Sequence, residues 1–266
     1  MDPVTIAAGL DWTNLLADKV ALITGAASGQ GRAAALLFGA QGAKVVVADF
    51  NDEGAAETVK MLEEQDSEGI VVHADVSKRG DVDVMVDTAM ERYGRLDVLY
   101  NNAAVQMSGR LVDCTEEEWD LTIATNLSAI FWACRKALPH LIEGDGGSII
   151  NTASTLGLIG SEGFAAYGAA KAGLAVLTKQ IAIEYGPQVR ANVIAPGSID
   201  TPRFRKVLDK TPGAEKFVEQ LKKGIPVRRL GEANDVACIA LFLASDMSAY
   251  VSGAVIPADG GLAVYR

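Results

Sequence analysis

Apolar residues along the chain gather in short unbroken runs, and longer segments with mixed polar positions separate these runs. Residues 19–24 and 44–49 are two such runs, each rich in Val, Ala, Ile or Leu. A strand that is buried on both faces forms a nearly continuous apolar run, whereas a helix shows apolar residues at every third or fourth position. The pattern therefore predicts strands that alternate with helices.

The same alternation continues to the end of the chain. It predicts seven strands, at 19–24, 44–49, 70–74, 96–100, 148–153, 189–195 and 254–257. It predicts helices from the first glycine turn to about residue 41, and at 52–65, 81–93, 115–142, 164–185 and 232–245. This order is typical of an α/β fold, a doubly wound (Rossmann-type) parallel sheet with helices on both faces.

Length and charge exclude several classes of protein. A chain of 266 residues fits one large domain, which we expect at 19–266 after an N-terminal extension at 1–18. The formal net charge of -10 argues against nucleic acid as a partner, and no apolar run is long enough to span a membrane. Three scattered cysteines and the lack of a basic, apolar leader predict a cytoplasmic protein with no disulfide framework and no metal site.

A glycine-rich turn joins the first predicted strand to the first helix. Gly25 permits the tight turn, Gly29 lets the backbone approach a pyrophosphate, and Gly31 lets the helix pack close to the strand. The N–H groups at the start of the helix can then bind phosphate groups. We therefore expect a dinucleotide at this turn, with Ser28 and Gln30 among its contacts.

Asp49 ends the second predicted strand, where its carboxylate can accept hydrogen bonds from the ribose hydroxyls of an adenosine. The same carboxylate would repel a 2′-phosphate. Neither the turn nor Phe50 and Asn51 supply a basic side chain, and Arg32 lies on the helix. The pattern favours NAD over NADP, with Phe50 as a further contact; a helix cap or a solvated loop acid is the alternative role for Asp49.

Tyr167 and Lys171 lie four residues apart in the helix predicted at 164–185, so they share one face of that helix. A phenol with a pKa of about 10 becomes a useful acid or base near neutral pH only when a nearby cation favours the phenolate. Ser154 follows the strand predicted at 148–153 and can point its hydroxyl into the same space. The three side chains offer an acid/base, its pKa modifier and a hydrogen-bond donor for a carbonyl oxygen, although such a Tyr and Lys pair also suits a solvated helix surface.

Taken in order along the chain, these motifs resemble the short-chain dehydrogenase/reductase family. The resemblance rests on Thr24-Gly25-x-x-x-Gly29-x-Gly31, Asn101-Asn102-Ala103-Ala104, Asn126, Ser154, Tyr167-x-x-x-Lys171, Pro196-Gly197 with Thr201, and Asp259-Gly260-Gly261, and it extends over residues 19–261. Gln30 and Ala104 depart from the usual residues of the family, but neither departure removes a catalytic group.

The resemblance implies an NAD(H)-dependent oxidoreductase that interconverts a secondary alcohol and a ketone. Tyr167 would be the general acid/base. Lys171 would lower its pKa and bind the nicotinamide ribose, and Ser154 would hold the substrate oxygen. Asn126 would distort its helix so that a backbone carbonyl holds a water linking Lys171 to solvent. The resemblance also implies a homotetramer, and cofactor contacts from Asp75, Val76, Asn102, Ala103, Pro196, Gly197, Ile199 and Thr201.

A substrate lid is implied at about 202–226, and the chain is basic there. Residues 203–229 include nine Lys or Arg against three Asp or Glu. This patch either attracts an anionic substrate, such as a sugar acid or an acyl-carrier-type substrate, or forms the solvated face of the lid. Apolar residues near the catalytic pair favour a cyclic or hydrophobic substrate instead: Thr155, Leu156, Leu158, Ile159 and Phe164. A dinucleotide-binding regulatory or sensor protein is the remaining alternative.

Overall fold

A computed structural model describes residues 13–265, so the first twelve residues of the predicted N-terminal extension lie outside the described part. The strands are β1 (Val20–Thr24), β2 (Lys44–Asp49), β3 (Gly69–His73), β4 (Val98–Asn101), β5 (Gly147–Thr152), β6 (Val189–Pro196), β7 (Ile199–Asp200), β8 (Gly231–Glu232) and β9 (Val255–Ala258). Seven of them form one sheet in the order β3-β2-β1-β4-β5-β6-β9, and β7 pairs with β8. Every pairing is parallel, which confirms the predicted sheet.

Helices cover both faces of the sheet. They are α1 (Gly29–Ala40), α2 (Asp52–Glu63), α3 (Arg79–Tyr93), α4 (Glu116–Ile123), α5 (Ala129–Glu143), α6 (Ala165–Tyr185), α7 (Pro202–Leu208), α8 (Ala214–Gly224), α9 (Ala233–Ala244) and α10 (Leu262–Tyr265). One core cluster holds residues of α3, α5 and α6, and the other holds residues of α1, α2 and α9. None of the described helices is long and apolar enough to cross a membrane.

Strand side chains alternate between these two clusters. Leu22 and Val46 face the cluster under α3, α5 and α6, whereas Ile23 and Val47 face the cluster under α1, α2 and α9. All four side chains are fully buried. Because successive strand residues point to opposite faces and both faces are covered, the strands need apolar residues at every position, and this explains the unbroken runs in the sequence.

Two predicted regions differ from the structure. The single helix predicted at 115–142 is interrupted by a π-helical segment, Ala124–Ser128, between α4 and α5. The region after β6, which showed no regular pattern, contains the short helices α7 and α8 and the β7–β8 pair. These helices were not predicted, because residues 203–229 carry many charges and no side chain of α7 or α8 is fully buried.

The parallel register brings the carboxyl ends of the strands to one edge of the sheet. Thr24 pairs with Ala48, and Asn101 pairs with Asn151. Strand β2 lies on one side of β1 and strand β4 lies on the other side, so the strand order reverses between β1 and β4. In open α/β sheets, ligands bind outside the carboxyl ends at such a reversal. The residues singled out by sequence therefore follow strands that end at this edge.

Candidate active site

The glycine turn after β1 is built against the chain that follows β4. Gly25 has a φ of +67°, a conformation that side chains rarely adopt, and a Cβ added to it would lie 2.8 Å from the Cα of Ala103. Asn102 Nδ2 donates to the carbonyl oxygens of Thr24 at 3.0 Å and Gly25 at 3.2 Å. The Thr24 hydroxyl in turn accepts from the N–H of Asn102 at 3.0 Å. Asn102 and Ala103 therefore hold the turn in shape.

The start of α1 forms a cradle that suits a phosphate. A Cβ on Gly31 would lie 2.2 Å from the carbonyl oxygen of Gly25, so only glycine fits. Ser28 is the N-cap of α1, but its side chain makes no capping hydrogen bond. The first N–H groups of a helix have no acceptor within the helix, and they bind anions readily. The residues present at Gly25, Ser28, Gly29, Gln30 and Gly31 thus fit the pyrophosphate of a dinucleotide.

Asp49 lies at the carboxyl end of β2 with 8% of its surface exposed. Its Oδ2 accepts from the N–H of Ala27 at 2.9 Å, and its Oδ1 accepts from the N–H of Asn51 at 3.0 Å. Each carboxylate oxygen retains a further lone pair for a ribose hydroxyl. Arg32 turns away from this site: its Nη2 donates to the Ala27 carbonyl oxygen at 2.5 Å and to Glu57 at 2.6 Å.

Tyr167 and Lys171 lie on the inner face of α6, at the carboxyl end of β5. Only 6% of Tyr167 and 1% of Lys171 are exposed. Lys171 Nζ lies 5.7 Å from the centre of the Tyr167 ring and donates to the carbonyl oxygen of Thr152 at 2.7 Å. The Ser154 hydroxyl accepts from the N–H of Leu156 at 3.2 Å and lies close enough to Tyr167 to lower the pKa of its hydroxyl. The fold thus brings the three predicted catalytic side chains together.

Burial shifts the pKa values of Tyr167 and Lys171. Desolvation raises the pKa of Tyr167, while the Arg203 cation and the nearby Ser154 hydroxyl oppose that rise. Desolvation and, to a lesser extent, the Arg203 cation together lower the pKa of Lys171 to about 7. Arg203 is thus a further cation that favours the Tyr167 phenolate, beside the predicted Lys171.

Asn126 is fully buried in the π-helical segment between α4 and α5. Its Nδ2 donates to the carbonyl oxygens of Val105 at 2.9 Å and Thr122 at 3.0 Å. In a regular α-helix the carbonyl of residue 122 would accept from the N–H of residue 126, so this side-chain bond accompanies the wider turn. Asn126 Oδ1 is buried and has no partner among the described residues. The segment packs against α6, which carries Lys171.

The predicted adenine contacts lie after β2 and β3. Phe50 is 72% exposed and thus free to cover a flat ring. The Asp75 carboxylate accepts from the Ser77 hydroxyl at 2.7 Å, and this bond holds the pKa of Asp75 below its usual value. Val76 lines a small cavity together with Thr24 and Ala103. Val76 and Ala103 therefore border the same cavity, and Asp75 precedes Val76 in the chain.

The remaining predicted contacts lie between β6 and the lid. The Pro196 carbonyl oxygen accepts from the Thr155 hydroxyl at 2.9 Å. A Cβ on Gly197 would lie 2.9 Å from the Cα of Asp259, so the chain approaches closely there. Ile199 is buried in β7.

Thr201 joins the lid to the glycine turn. Its hydroxyl caps α7 by accepting from the N–H of Phe204 at 3.3 Å, and a Cβ on Gly29 would lie 3.5 Å from its methyl carbon. Two residues later, Arg203 Nη1 donates to the carbonyl oxygen of Ala104 at 3.0 Å. The first turn of α7 thus lies over both the cradle and Tyr167.

Sequence reasoning left two residues of this site without a role. The Thr24 hydroxyl, which belongs to the glycine motif, was not assigned a contact. Arg203 was one of nine basic residues of the lid, and nothing local distinguishes it from Arg205. The position of Arg203 directly after the Thr201-Pro202 step was the only available signal.

The cradle makes a direct prediction for Gly31. Gly31→Ala should lower the free energy of unfolding by about 1–3 kcal/mol, because the added methyl group overlaps backbone. Gly80→Ala is the matched control: Gly80 also lies in a first helical turn, but nothing lies within 4 Å of its added Cβ. Gly80→Ala should raise the free energy of unfolding by no more than about 1 kcal/mol. Urea unfolding of both variants tests this, and equal stability of the two variants would contradict the cradle.

Comparison with known proteins places this geometry in context. A family model described as "Enoyl-(Acyl carrier protein) reductase" matches residues 25–263. The 3-oxoacyl-[acyl-carrier-protein] reductase FabG of Thermotoga maritima is 40% identical over 94% of this chain and 99% of that protein. The 3beta-hydroxysteroid dehydrogenase 1 of Eggerthella lenta is also 40% identical, over 94% of this chain and 95% of that protein.

Solved structures are similar over the same length. The crystal structure of levodione reductase has a TM-score of 0.90 and 36% identity, covering 94% of this chain and 99% of that chain. A Burkholderia xenovorans chain described as a short-chain dehydrogenase/reductase has a TM-score of 0.91 and 32% identity, covering 94% of this chain and 98% of that chain.

Proposed function

The chain belongs to the short-chain dehydrogenase/reductase family, and from this premise we propose that it is an NAD(H)-dependent enzyme that interconverts a secondary alcohol and a ketone. One observation carries the proposal. Tyr167, Lys171 and Ser154 are buried together beside a cradle that fits a pyrophosphate. A proton-transfer group next to a dinucleotide site is what carbonyl reduction needs.

Tyr167, Ser154 and Lys171 have separate roles in the proposed reaction. A bound nicotinamide dinucleotide supplies a hydride to the carbonyl carbon in reduction and accepts it back in oxidation. Tyr167 donates its hydroxyl proton to the carbonyl oxygen in reduction and removes it from the alcohol in oxidation. Ser154, which lies close to Tyr167, holds that oxygen. Lys171 binds the nicotinamide ribose and favours the phenolate.

Proton supply to Lys171 is the role we assign to Asn126. Its unpaired Oδ1 and the widened helix turn leave buried acceptors that a water can satisfy. That water would connect Lys171 to solvent. A pKa of about 7 for Lys171 suits a group that passes protons on near neutral pH.

We assign NAD as the cofactor on the geometry around Asp49. The carboxylate has free lone pairs at the end of β2, where it can accept from two ribose hydroxyls. Arg32 is the nearest basic residue in sequence, and its guanidinium is occupied by the Ala27 and Gly54 carbonyl oxygens and by Glu57. A 2′-phosphate would meet a negative charge with no free cation from Arg32.

Replacement of Asp49 tests the cofactor. Asp49→Asn should weaken NADH binding about tenfold, because charge-assisted hydrogen bonds to the ribose are lost. It should also reduce the preference for NADH over NADPH, because the repulsion is removed. Glu53→Gln removes the same charge from an exposed position in the first turn of α2 and should change neither value. Nicotinamide fluorescence titration measures both affinities. Tighter binding of NADPH than of NADH by the unmodified protein would contradict the assignment.

Replacement of Tyr167 tests the reaction. Tyr167→Phe should reduce kcat at least 100-fold, because the proton donor is lost, while NADH binding stays within about twofold. Tyr250→Phe removes a hydroxyl from a fully exposed tyrosine and should leave turnover unchanged. The assay is NADH oxidation with a panel of cyclic and aryl ketones. Full activity of Tyr167→Phe would refute the role of Tyr167, and binding of NADH without turnover of any ketone would contradict the substrate class of this panel while leaving the oxidoreductase assignment intact.

We propose a cyclic or hydrophobic substrate for this site. The loop after β4 and the loop before α6 are joined by a bridge between Gly109 and Phe164, so they border one entrance. Leu111, Val112 and Leu158 are exposed on these loops. The names of two relatives, a 3beta-hydroxysteroid dehydrogenase and a levodione reductase, refer to cyclic compounds. We also propose a cytoplasmic location, since all three cysteines are free thiols.

We further propose a homotetramer. Val176 and Ile183 are exposed on the outer face of α6, and Trp119 and Phe131 are exposed on α4 and α5. Apolar side chains clustered on long helices suit burial against a second copy.

Charge placed on this face tests the assembly. The double variant Val176→Glu and Ile183→Glu should fall from four chains of 27.9 kDa to a smaller assembly, because carboxylates would be buried at the interface. Val207→Glu makes the same change on the exposed lid and should leave the mass unchanged. Sedimentation velocity measures the masses. A monomeric unmodified protein would rule out this interface.

A further inference from the structure

Arg203 is the one basic residue of the lid that reaches the catalytic group. Its Nη1 donates to the Ala104 carbonyl oxygen at 3.0 Å, and its Nη2 lies 3.5 Å from Gln106 Oε1. The guanidinium also lies near enough to Tyr167 to lower the pKa of its hydroxyl against the effect of burial. The side chain thus crosses from the start of α7 to the chain after β4, over the hydroxyl that exchanges a proton with substrate.

The partners of Arg203 differ from those of Arg205 and Arg229. Arg205 forms a two-pronged pair with Asp200, at 2.8 and 2.9 Å, and Arg229 forms one with Asp235, at 2.6 and 2.9 Å. Within residues 13–265, Arg203 contacts only neutral or protonated oxygens and forms no ion pair. The Gln106 contact is at the limit of hydrogen-bonding distance. Its planar fork of donors is therefore available to a carboxylate.

The electrostatics around the catalytic group also favour an anion. Arg203 is the only charged residue of the described chain that shifts the pKa of Tyr167 or Lys171. Within residues 13–265, no carboxylate shifts the pKa of Tyr167 or Lys171. A negative group held at Arg203 would relieve the repulsion between the guanidinium and the Lys171 ammonium.

Two observations indicate the source of the anion. Arg203 contacts the chain after β4, at residues 104 and 106. The residue that lies against the phosphate cradle is instead Thr201, at the start of the lid. The hydroxyl of Tyr167 must come within about 3 Å of the substrate oxygen. The Arg203 guanidinium bonds to Ala104 and acts on the pKa of that same hydroxyl, so it lies near groups close to the reacting carbon.

We propose that Arg203 determines substrate specificity by binding a carboxylate that lies one or two carbons from the carbon that is oxidised or reduced. The substrates are then 2- or 3-hydroxy acids and the matching oxo acids with an apolar remainder. The inference rests on the proposed function, because it names the substrate class of the same site. It assigns one residue of the basic lid to the substrate and leaves the others as its solvated face.

Turnover of matched acids and esters measures the specificity. The probes are 2-hydroxy-4-phenylbutanoate, 3-hydroxy-3-phenylpropanoate and the methyl ester of each, oxidised with NAD+ by the full chain. The unmodified enzyme should prefer at least one acid over its ester in kcat/KM. Arg203→Gln should reduce that preference about 10- to 100-fold, as expected for the loss of a charge-assisted hydrogen-bond pair. Arg203→Lys should retain only part of it, because the fork is lost.

Controls separate this effect from net charge and from cofactor binding. Lys206→Gln removes one positive charge from an exposed position of the same helix and should leave the acid-to-ester ratio unchanged. The NADH affinity of Arg203→Gln should stay within about twofold of the unmodified value. Loss of NADH binding with an unchanged acid-to-ester ratio would instead assign Arg203 to the pyrophosphate and overturn the proposal.

A binding measurement tests the role of Arg203 independently of turnover. Calorimetric titration of 3-phenylpropanoate into the NADH complex should show affinity at least tenfold weaker for Arg203→Gln than for the unmodified protein and for Lys206→Gln. Equal affinity would overturn the inference even if ketones and esters are turned over. Weaker binding by Arg203→Gln would support it, whereas absence of all turnover with either dinucleotide would count against the proposed function alone.

Discussion

The burial of the Lys171 ammonium is the constraint on which the site depends. Burial disfavours the charged form of an amine and lowers the pKa of Lys171, so the side chain needs a hydrogen-bond acceptor close by. Here the Thr152 carbonyl oxygen accepts from Nζ at 2.7 Å, at the last residue of β5. This bond joins α6 to the end of β5. The hydrogen bond from Asn151 to Thr178 and the buried Leu174 and Ile181 hold the same helix against the sheet. Tyr167, one turn earlier on the same helix face, is thereby fixed beside the Ser154 hydroxyl.

The parallel sheet joins this group to the dinucleotide cradle. The carboxyl ends of β1 and β5 lie on either side of the end of β4, so the glycine turn and the catalytic group share one edge. The chain after β4 serves both sides: Asn102 holds the Gly25 carbonyl oxygen, and the Val105 carbonyl oxygen accepts from Asn126. A protein with a net charge of -10 needs a local source of positive potential for an anionic cofactor, and the uncapped start of α1 provides it.

The lid depends on this edge in turn. Thr201 begins α7 beside the glycine turn, and Arg203 extends from α7 to Ala104. A loop that bridges both sides of a site can couple the binding of one ligand to the placement of the other. Most lid charges form pairs within the lid or face solvent, so they affect solubility more than chemistry. Arg203 is different because its partners belong to the catalytic edge.

The sequence by itself determined the sheet, the glycine turn and the catalytic helix. Unbroken apolar runs such as 44–49 specify strands buried on two faces, and the spacing of Tyr167 and Lys171 places both on one helix face because helical geometry is local. The resemblance implied a distorted helix at Asn126, but only the tertiary structure decided its form, a π-helical turn in which the Asn126 side chain bonds to a carbonyl 21 residues away. The tertiary structure also distinguished Arg203 from Arg205. The two arginines lie two residues apart in the lid. Arg205 pairs with Asp200, five residues away in the chain, whereas Arg203 bonds to Ala104, 99 residues away. No local pattern encodes that difference, because the partner is brought close only by the parallel register of the strands.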